Sequence, residues 1–402
     1  MMLEIGKTEA VAASRIIRGK KLFRYVEDAQ CARFEKRYGE FLGVPHVCMT
    51  SSGTASLTAV LAAMGLGPGD EVVVPAHTYM ATALAVLAVG AIPVIADVDA
   101  SIMLDPEALD DIAGPRTKAV IPVHMWGQLC DMDPILRIAR RHKLKVVEDA
   151  CQCVGGSYKG RMAGAIGHAG AFSFNVFKNM TCGEGGAAVT ADARVASRIR
   201  GMVDPCSHFW TGRSGDTKPF AASGSRASEI EGAIMNAQLD RLPDLLVRLR
   251  RIKKTVLDGT VVPGLTHAPR HSPDGECATY LFYQLPDTSS ALRFAELAGG
   301  GITANTGRHT FTEWDPVLNH RGAIHPAMDP YRMPQNKGCR MNYGKTLCRR
   351  SLEILKRTVM IGLRYNMTQA EIRQCIRTIR EAAVKALSQD ADESHGNRKS
   401  KK

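Results

Sequence analysis

The chain has 402 residues, 45% of them hydrophobic and 23% charged, the balance of an ordinary soluble globular protein. Single cores tend to split beyond about 250–300 residues, so two domains are expected. The net charge of +12, from 52 basic and 40 acidic residues, suits anionic small molecules or nucleic acid. No basic stretch is interleaved with aromatics, which argues against nucleic acid.

Eleven cysteines are scattered singly and form no disulfide framework. Cys151-Gln152-Cys153 is the one close pair. Its spacing suits neither a zinc ribbon nor a redox motif, so no metal site is expected. Free thiols point to a reducing compartment. Residues 1–7 hold no signal-peptide apolar core. No run approaches the ~20 apolar residues of a membrane span. A cytoplasmic protein without a membrane segment is expected.

Residues 1–30 are weakly patterned, with Phe23-Arg24-Tyr25 as an entry segment. The spacing of Phe34, Tyr38, Phe41 and Leu42 predicts a helix over 29–42, since these positions share one face. Val44 to Met49 reads as a strand. Ser51-Ser52-Gly53-Thr54-Ala55-Ser56-Leu57 opens a helix to Met64. Small hydroxyl residues and a glycine there leave backbone N–H groups free, which serves a plain N-cap or an anion site.

After the turn Gly67-Pro68-Gly69-Asp70 the alternation becomes regular. Strands are expected at 71–75, 93–97, 119–124 and 144–149, with helices near 80–89, 106–112 and 133–142. Asp133 is expected to cap the last of these, with Pro134 in its first turn. Repeated βα units with apolar strands imply a mostly parallel sheet covered by helices on both faces. Ligands then sit beyond the carboxyl ends of the strands, which here carry His77–Tyr79, His124–Trp126 and Asp149–Gln152.

Phe172 to Lys178 joins an apolar strand to a lysine, and Gly183-Glu184-Gly185-Gly186 precedes another apolar run. Burying an ammonium is costly unless it is paired or neutralised. Lys178 either snorkels to the surface or keeps a neutral amine by carrying an imine.

A helix is expected near 192–203, then a long polar stretch over 204–225, of the kind used for lids or interface arms. Ser228 to Glu231 is a capping box. Its helix is expected to break or kink at Pro243, which divides the chain into 1–243 (with an N-terminal segment 1–28), a smaller α+β domain over 244–387 and a disordered tail over 388–402. Strands are expected at 279–285 and 358–363. A second capping box, Thr368 to Glu371, opens an amphipathic helix with Ile372, Ile376 and Ile379.

A helix-start anion site, Tyr79, Asp149 and Lys178 thus share one sheet edge. Pyridoxal phosphate would use all four: its phosphate, its ring face, its ring nitrogen and its aldehyde. These stretches resemble the DegT/DnrJ/EryC1/StrS sugar aminotransferases. The shared residues are Ser52 to Ala55, Pro75 to Tyr79, Pro122 to Gly127, Glu148 to Gln152, Phe172 to Phe174, and Lys178 with Gly183 to Gly186. They lie in family order over about 25–240.

The resemblance implies a fold type I large domain with a smaller C-terminal α+β domain, and a homodimer with shared active sites. It implies pyridoxal 5'-phosphate, with Lys178 forming the internal imine and moving the proton, and Asp149 on the ring nitrogen. Gln152 would bond the ring hydroxyl, Gly53, Thr54, Ala55 and Ser173 the phosphate, and Tyr79 would stack. Transamination from glutamate or glutamine to a keto-sugar or keto-cyclitol follows, with dehydration on the same scaffold as the alternative. Wording around Asp149 and Lys178 is similar to the branch that aminates an 8-oxo-octulosonate sugar. His309, Arg308 and Trp126 are candidate substrate contacts, each also open to a structural or surface role. The family's Asn-x-Arg is departed from: glycine stands at 224 in Ser223-Gly224-Ser225-Arg226.

Overall fold

Short runs of valine, isoleucine and alanine form the core of one large sheet. The computed structural model describes residues 5–212, 218–344 and 346–388. Five strands, β1 (His46–Thr50), β2 (Glu71–Pro75), β3 (Ile92–Ala96), β4 (Thr117–Val120) and β5 (Lys145–Asp149), are followed by a two-residue hairpin, β6 (Ser157–Tyr158) and β7 (Arg161–Met162). Then come β8 (Ala169–Ser173) and β9 (Gly186–Thr190). The sheet order is β1-β9-β8-β5-β4-β2-β3. The neighbours from β8 through β3 are parallel, while β9 runs against both β8 and β1. β2, β3, β8 and β9 are buried along their whole length, as strands covered on both faces must be.

The helices expected between strands all form, with ends moved by a residue or two. They are α2 (Gln30–Leu42), α3 (Gly53–Ala63), α4 (Ala81–Ala88), α5 (Pro106–Ile112), α6 (Met132–Arg141) and α7 (Ala193–Val203). Asp133 does not cap α6. The N-cap position is Asp131, and Asp133 instead pairs with Lys159 and Arg161 at 2.6 Å each. Ahead of them lies α1 (Lys7–Arg18), a helix in the weakly patterned N-terminal stretch. What seats it is polar: buried Glu9 accepts from Gln238 Nε2 at 2.9 Å and pairs with Arg241. A buried carboxylate holds its place only with such partners, and apolar periodicity does not reveal them.

Residues 213–217 of the polar 204–225 stretch lie outside the described residues, and α8 (His208–Thr211) precedes them. The Ser228–Glu231 capping box forms, with Glu231 N donating to Ser228 Oγ at 3.3 Å and Ser228 N donating to the Glu231 carboxylate. The expected break at Pro243 does not occur: α9 runs unbroken from Glu229 to Gly259. Pro243 lies on the exposed face, and its missing N–H costs the helix one hydrogen bond, to the carbonyl of Leu239. The buried stripe Leu239, Leu242, Leu246 and Leu249 continues past it.

The C-terminal part holds a four-stranded antiparallel sheet. β10 (Thr266–His267), β11 (Tyr280–Gln284), β12 (Gly301–Ile302) and β13 (Thr358–Gly362) lie in the order β10-β11-β13-β12. α10 (Thr288–Ala298) packs with the last helix, labelled α13 (Gln369–Ser388) after α11 (Asp315–Leu318) and α12 (Arg349–Lys356). Between β12 and α12 the chain returns to the large sheet. Asn336 Nδ2 donates to Gly90 O at 2.9 Å, Tyr343 Oη to Pro93 O at 2.7 Å, and Arg340 pairs with buried Glu71. α13 ends at Ser388, the first residue of the expected 388–402 tail, and residues 389–402 lie outside the described residues. Among the described residues no helix is long and apolar enough to cross a membrane.

Gly232 shows how closely α9 and α2 approach. A Cβ built there would sit 2.6 Å from the backbone nitrogen of Cys31. Alanine favours a helix interior over glycine by about 1 kcal/mol, but overpacking against backbone costs about 1–3 kcal/mol. Gly232→Ala is therefore expected to lower the urea midpoint; a raised midpoint would contradict the contact.

Candidate active site

Glu148 and Asp149 are successive residues at the carboxyl end of β5, so the pleat turns them to opposite faces. Glu148 is fully buried and accepts from the N–H groups of Gly164 (2.9 Å), Ile166 (2.6 Å) and Gly167 (2.5 Å). His124 completes that set at 3.0 Å. Its Nδ1 accepts from Cys130 N at 3.1 Å, so Nε2 carries the proton and donates to Glu148. His124 therefore braces the sheet and does not face the ligand edge.

Asp149 faces the other way. Thr82 Oγ1 donates to its Oδ2 at 2.7 Å and Cys151 N to its Oδ1 at 3.1 Å. Thr82 in turn pairs with Thr78 at 2.7 Å. Thr82 was not marked in the sequence, although its i, i+4 spacing from Thr78 where α4 begins was a readable signal. The carboxylate is 4% exposed, with both oxygens oriented.

β8 lies beside β5 in parallel, so the segment after Ser173 leaves on the same edge as Asp149. A turn with Lys178 N donating to Asn175 O at 3.0 Å, and a bridge from Asn175 to Gly183, bring Lys178 back over that edge. Burial depresses the Lys178 amine below the usual lysine range; Cys151 and Asp149 oppose the shift, and Arg308 adds to it. Lys178 and Asp149 are thus electrostatic neighbours.

The first turn of α3 meets this edge. Ser52 Oγ accepts from Ala55 N at 3.1 Å and Ser52 O from Ser56 N at 3.0 Å. The N–H groups of Gly53 and Thr54 are left for a ligand, as helix starts require. A Cβ on Gly53 would stand 2.8 Å from both Ser173 Cβ and Cys151 Sγ, so glycine lets the helix start press against Ser173. Gln152, half-buried on the turn after β5, has a side chain that makes no hydrogen bond among the described residues. Tyr79 is 42% exposed, with its ring 5.7 Å from that of His309.

The 307–311 loop is laced onto the end of β2. Thr78 N donates to His309 O (2.8 Å), Met80 N to Arg308 O (3.3 Å) and Phe311 N to Ala76 O (2.9 Å). Glu313 holds the loop from behind, accepting from the N–H groups of Gly307 (2.8 Å), His309 (3.1 Å) and Thr310 (3.2 Å). Arg308 lies over the Phe177 ring at 5.5 Å. His309 packs on Trp126 at 5.2 Å, and burial pushes its pKa down to about 3. Trp126 takes φ 48, a left-handed backbone that is costly for a bulky residue. Its carbonyl accepts from Thr279 Oγ1 at 2.8 Å, and its ring stacks on Phe282 at 5.8 Å. Lys178, Asp149, Ser173 and the start of α3 therefore meet at one sheet edge, and Trp126 joins the 307–311 loop to the small sheet. Two separate hollows, about 320 and 380 Å³, contain neither Lys178 nor Asp149.

The fold is that of known aminotransferases. The aminotransferase from Psychrobacter cryohalolentis superposes with a TM-score of 0.80 at 24% identity, over 96% of this chain and 99% of that one. DesV of S. venezuelae, solved in complex with a ketimine intermediate, gives 0.71 at 26% identity over 93% and 94%. The chain belongs to the DegT/DnrJ/EryC1/StrS aminotransferase family, whose model matches residues 4–284. It is 42% identical to the GDP-perosamine synthase of Caulobacter vibrioides, over 54% of this chain and 58% of that protein. The L-glutamine:2-deoxy-scyllo-inosose aminotransferase of Streptomyces kanamyceticus is 34% identical over 73% and 70%. The spore coat polysaccharide biosynthesis protein SpsC of Bacillus subtilis is 33% identical over 87% and 88%.

Two outcomes follow. A lysine depressed in the fold binds its proton less well than in the unfolded chain, so its charge destabilises the fold below the unfolded value of 10.5 and stops doing so above it. Cofactor-free Lys178→Met is expected to melt higher than the parent at neutral pH, with the gap narrowing as pH approaches 10.5; a gap independent of pH would contradict this. Glu313→Ala should speed amide exchange across 307–311 more than elsewhere, because three N–H groups lose an anionic acceptor worth about 1.5–3 kcal/mol per bond. Unchanged exchange there would remove Glu313 as the loop's anchor.

Proposed function

We propose that this enzyme transfers an amino group from glutamate or glutamine to a keto-sugar or keto-cyclitol in amino-sugar or related biosynthesis. The observation that carries the proposal is a depressed Lys178 amine beside the oriented carboxylate of Asp149, on adjacent strand ends. The relatives' names support the reaction class: one makes GDP-perosamine and another aminates 2-deoxy-scyllo-inosose with L-glutamine.

The residues present fit pyridoxal 5'-phosphate. When bound, it supplies an aldehyde and an electron-withdrawing ring. The N–H groups of Gly53 and Thr54, with Ser173 Oγ, would hold its phosphate; Ala55 N–H is already committed to Ser52. Asp149, oriented by its two donors, would pair with the ring nitrogen. Tyr79 would cover the ring face and Gln152 would reach the ring hydroxyl. Lys178 would hold the group through its amine and would take and return the proton at the substrate carbon that bears nitrogen. Burial favours that task, because it leaves more of the amine neutral near physiological pH.

The active form we propose is a homodimer. Phe23 (43% exposed), Phe209 (74%) and Trp210 (58%) form an aromatic patch, with Phe23 and Trp210 rings 4.9 Å apart. A second copy would cover it. The adjoining segment pairs with the end of β1: Ser51 N donates to Ser225 O at 2.8 Å, and Thr50 bridges Arg226. Gly224 takes φ +69 with open space at its Cβ; in place of the asparagine that the family resemblance implies, either Ser223 or Ser225 would supply a hydroxyl or the phosphate would have one cross-dimer contact fewer. We place the 1–243 portion as the cofactor-binding unit and 244–387 as the smaller one. The eleven cysteines are unpaired, which suits a reducing cytoplasm.

Purified protein should bind the cofactor with a yellow colour that borohydride fixes covalently. Lys178→Ala should lose the covalent attachment, and retention of it would sink the assignment. Asp149→Asn strands a buried partner at about 3–5 kcal/mol. If most of this reaches the barrier, turnover falls by roughly two to three powers of ten; unchanged turnover would rule out the ring-nitrogen role. Labelled glutamine with a keto-sugar tests the reaction, since a product without nitrogen indicates dehydration instead.

A further inference from the structure

His77 is held so that one ring nitrogen can only accept. Its Nδ1 lies 3.1 Å from Ile102 O. A carbonyl cannot donate, so Nδ1 carries the hydrogen. The ring is fully buried, and burial brings its pKa down to about 4, so it is neutral at pH 7. Nε2 is then a bare acceptor, and no donor among the described residues reaches it. Ile102 itself is β-branched at φ 66, a backbone region such residues avoid. An orphaned buried acceptor and a strained partner at one residue call for a reason.

The ring's surroundings supply it. His77 meets Trp126 edge-on at 4.9 Å, and its backbone bridges Thr310 beside His309. His309 Nδ1 is engaged by Thr306 Oγ1 at 2.9 Å. Trp126 continues into Phe282 and Tyr280, at 5.8 and 6.0 Å. This corner is largely aromatic; Arg308, whose guanidinium stands over Phe177, and Lys178 act on the His309 side of it and not on the His77 ring. A sugar or cyclitol fits, with its C–H face on an aromatic wall and a hydroxyl donating into the acceptor.

We propose that His77 Nε2 accepts a hydrogen bond from a hydroxyl of the keto-sugar or keto-cyclitol, against the Trp126 ring, and so selects a hydroxylated over a deoxygenated substrate at that position. The proposal rests on the aminotransferase reading of Lys178. It makes His77 a specificity residue that takes no part in moving the proton.

The test uses the holoenzyme, scyllo-inosose and its mono-deoxy derivatives. Each variant's acceptor half-reaction is divided by its own half-reaction with glutamate or glutamine, both read from the cofactor spectrum. In the parent, one deoxy derivative should lose about ten- to a hundred-fold in kcat/KM. His77→Asn keeps a donor for Ile102 O and withdraws the deeper acceptor, so that discrimination should disappear. His77→Gln, which returns a polar atom to the Nε2 position, should restore part of it. In 15N-histidine-labelled protein, the Nε2 signal of His77 should move from that of an unbonded nitrogen only when the hydroxylated compound is added. A discrimination pattern unchanged in His77→Asn, or no discrimination in the parent, would overturn the proposal. A parent that gives no spectral change with either amino donor would instead overturn the aminotransferase reading beneath it.

Discussion

Two consecutive carboxylates at the end of one strand organise this molecule. Because side chains alternate across a strand, Glu148 enters the protein and Asp149 enters the site. Glu148 gathers three backbone N–H groups and His124, which fixes the loop between β7 and β8. That loop sets where β8 begins, and β8 delivers Lys178. Asp149 is oriented by Thr82 and by its own turn. One strand end thus positions both the acid and, through its neighbour, the amine. A one-residue slip in β5 would exchange the roles of the two acids and dismantle both sides.

The second half of the site comes from far along the chain. The 307–311 loop adds its backbone to the end of β2, and Glu313 holds it there through three N–H groups. Trp126, on a left-handed backbone fastened to Thr279, joins this loop to the small sheet. The charges divide accordingly. Lys178, Asp149 and the open N–H groups of α3 form a polar side. His77, Trp126, His309 and Phe282 form an aromatic side.

The sequence and the fold agree best where structure is local. Apolar runs of five residues became buried strands, and the Ser228 and Thr368 capping boxes opened helices where they stood. They disagree where a polar contact between distant segments decides. α1 is seated by Glu9 on Gln238, and nothing near Glu9 announces it. Pro243 passes without a break because tertiary packing of its flanking leucines outweighs one missing N–H. Asp133 looks like a cap, yet it is drawn to Lys159 and Arg161 on the β6–β7 hairpin.

The chain by itself determined the βα alternation and the two capping boxes, because each depends on spacing within a few positions. Only the tertiary structure decided that His124 braces Glu148 while His77 and His309 pack on Trp126, and that residues 330–343 strap back onto the large sheet. Those outcomes depend on pairings across tens to hundreds of residues, where hydrogen-bond partners are chosen by the assembled fold and leave no period in the sequence.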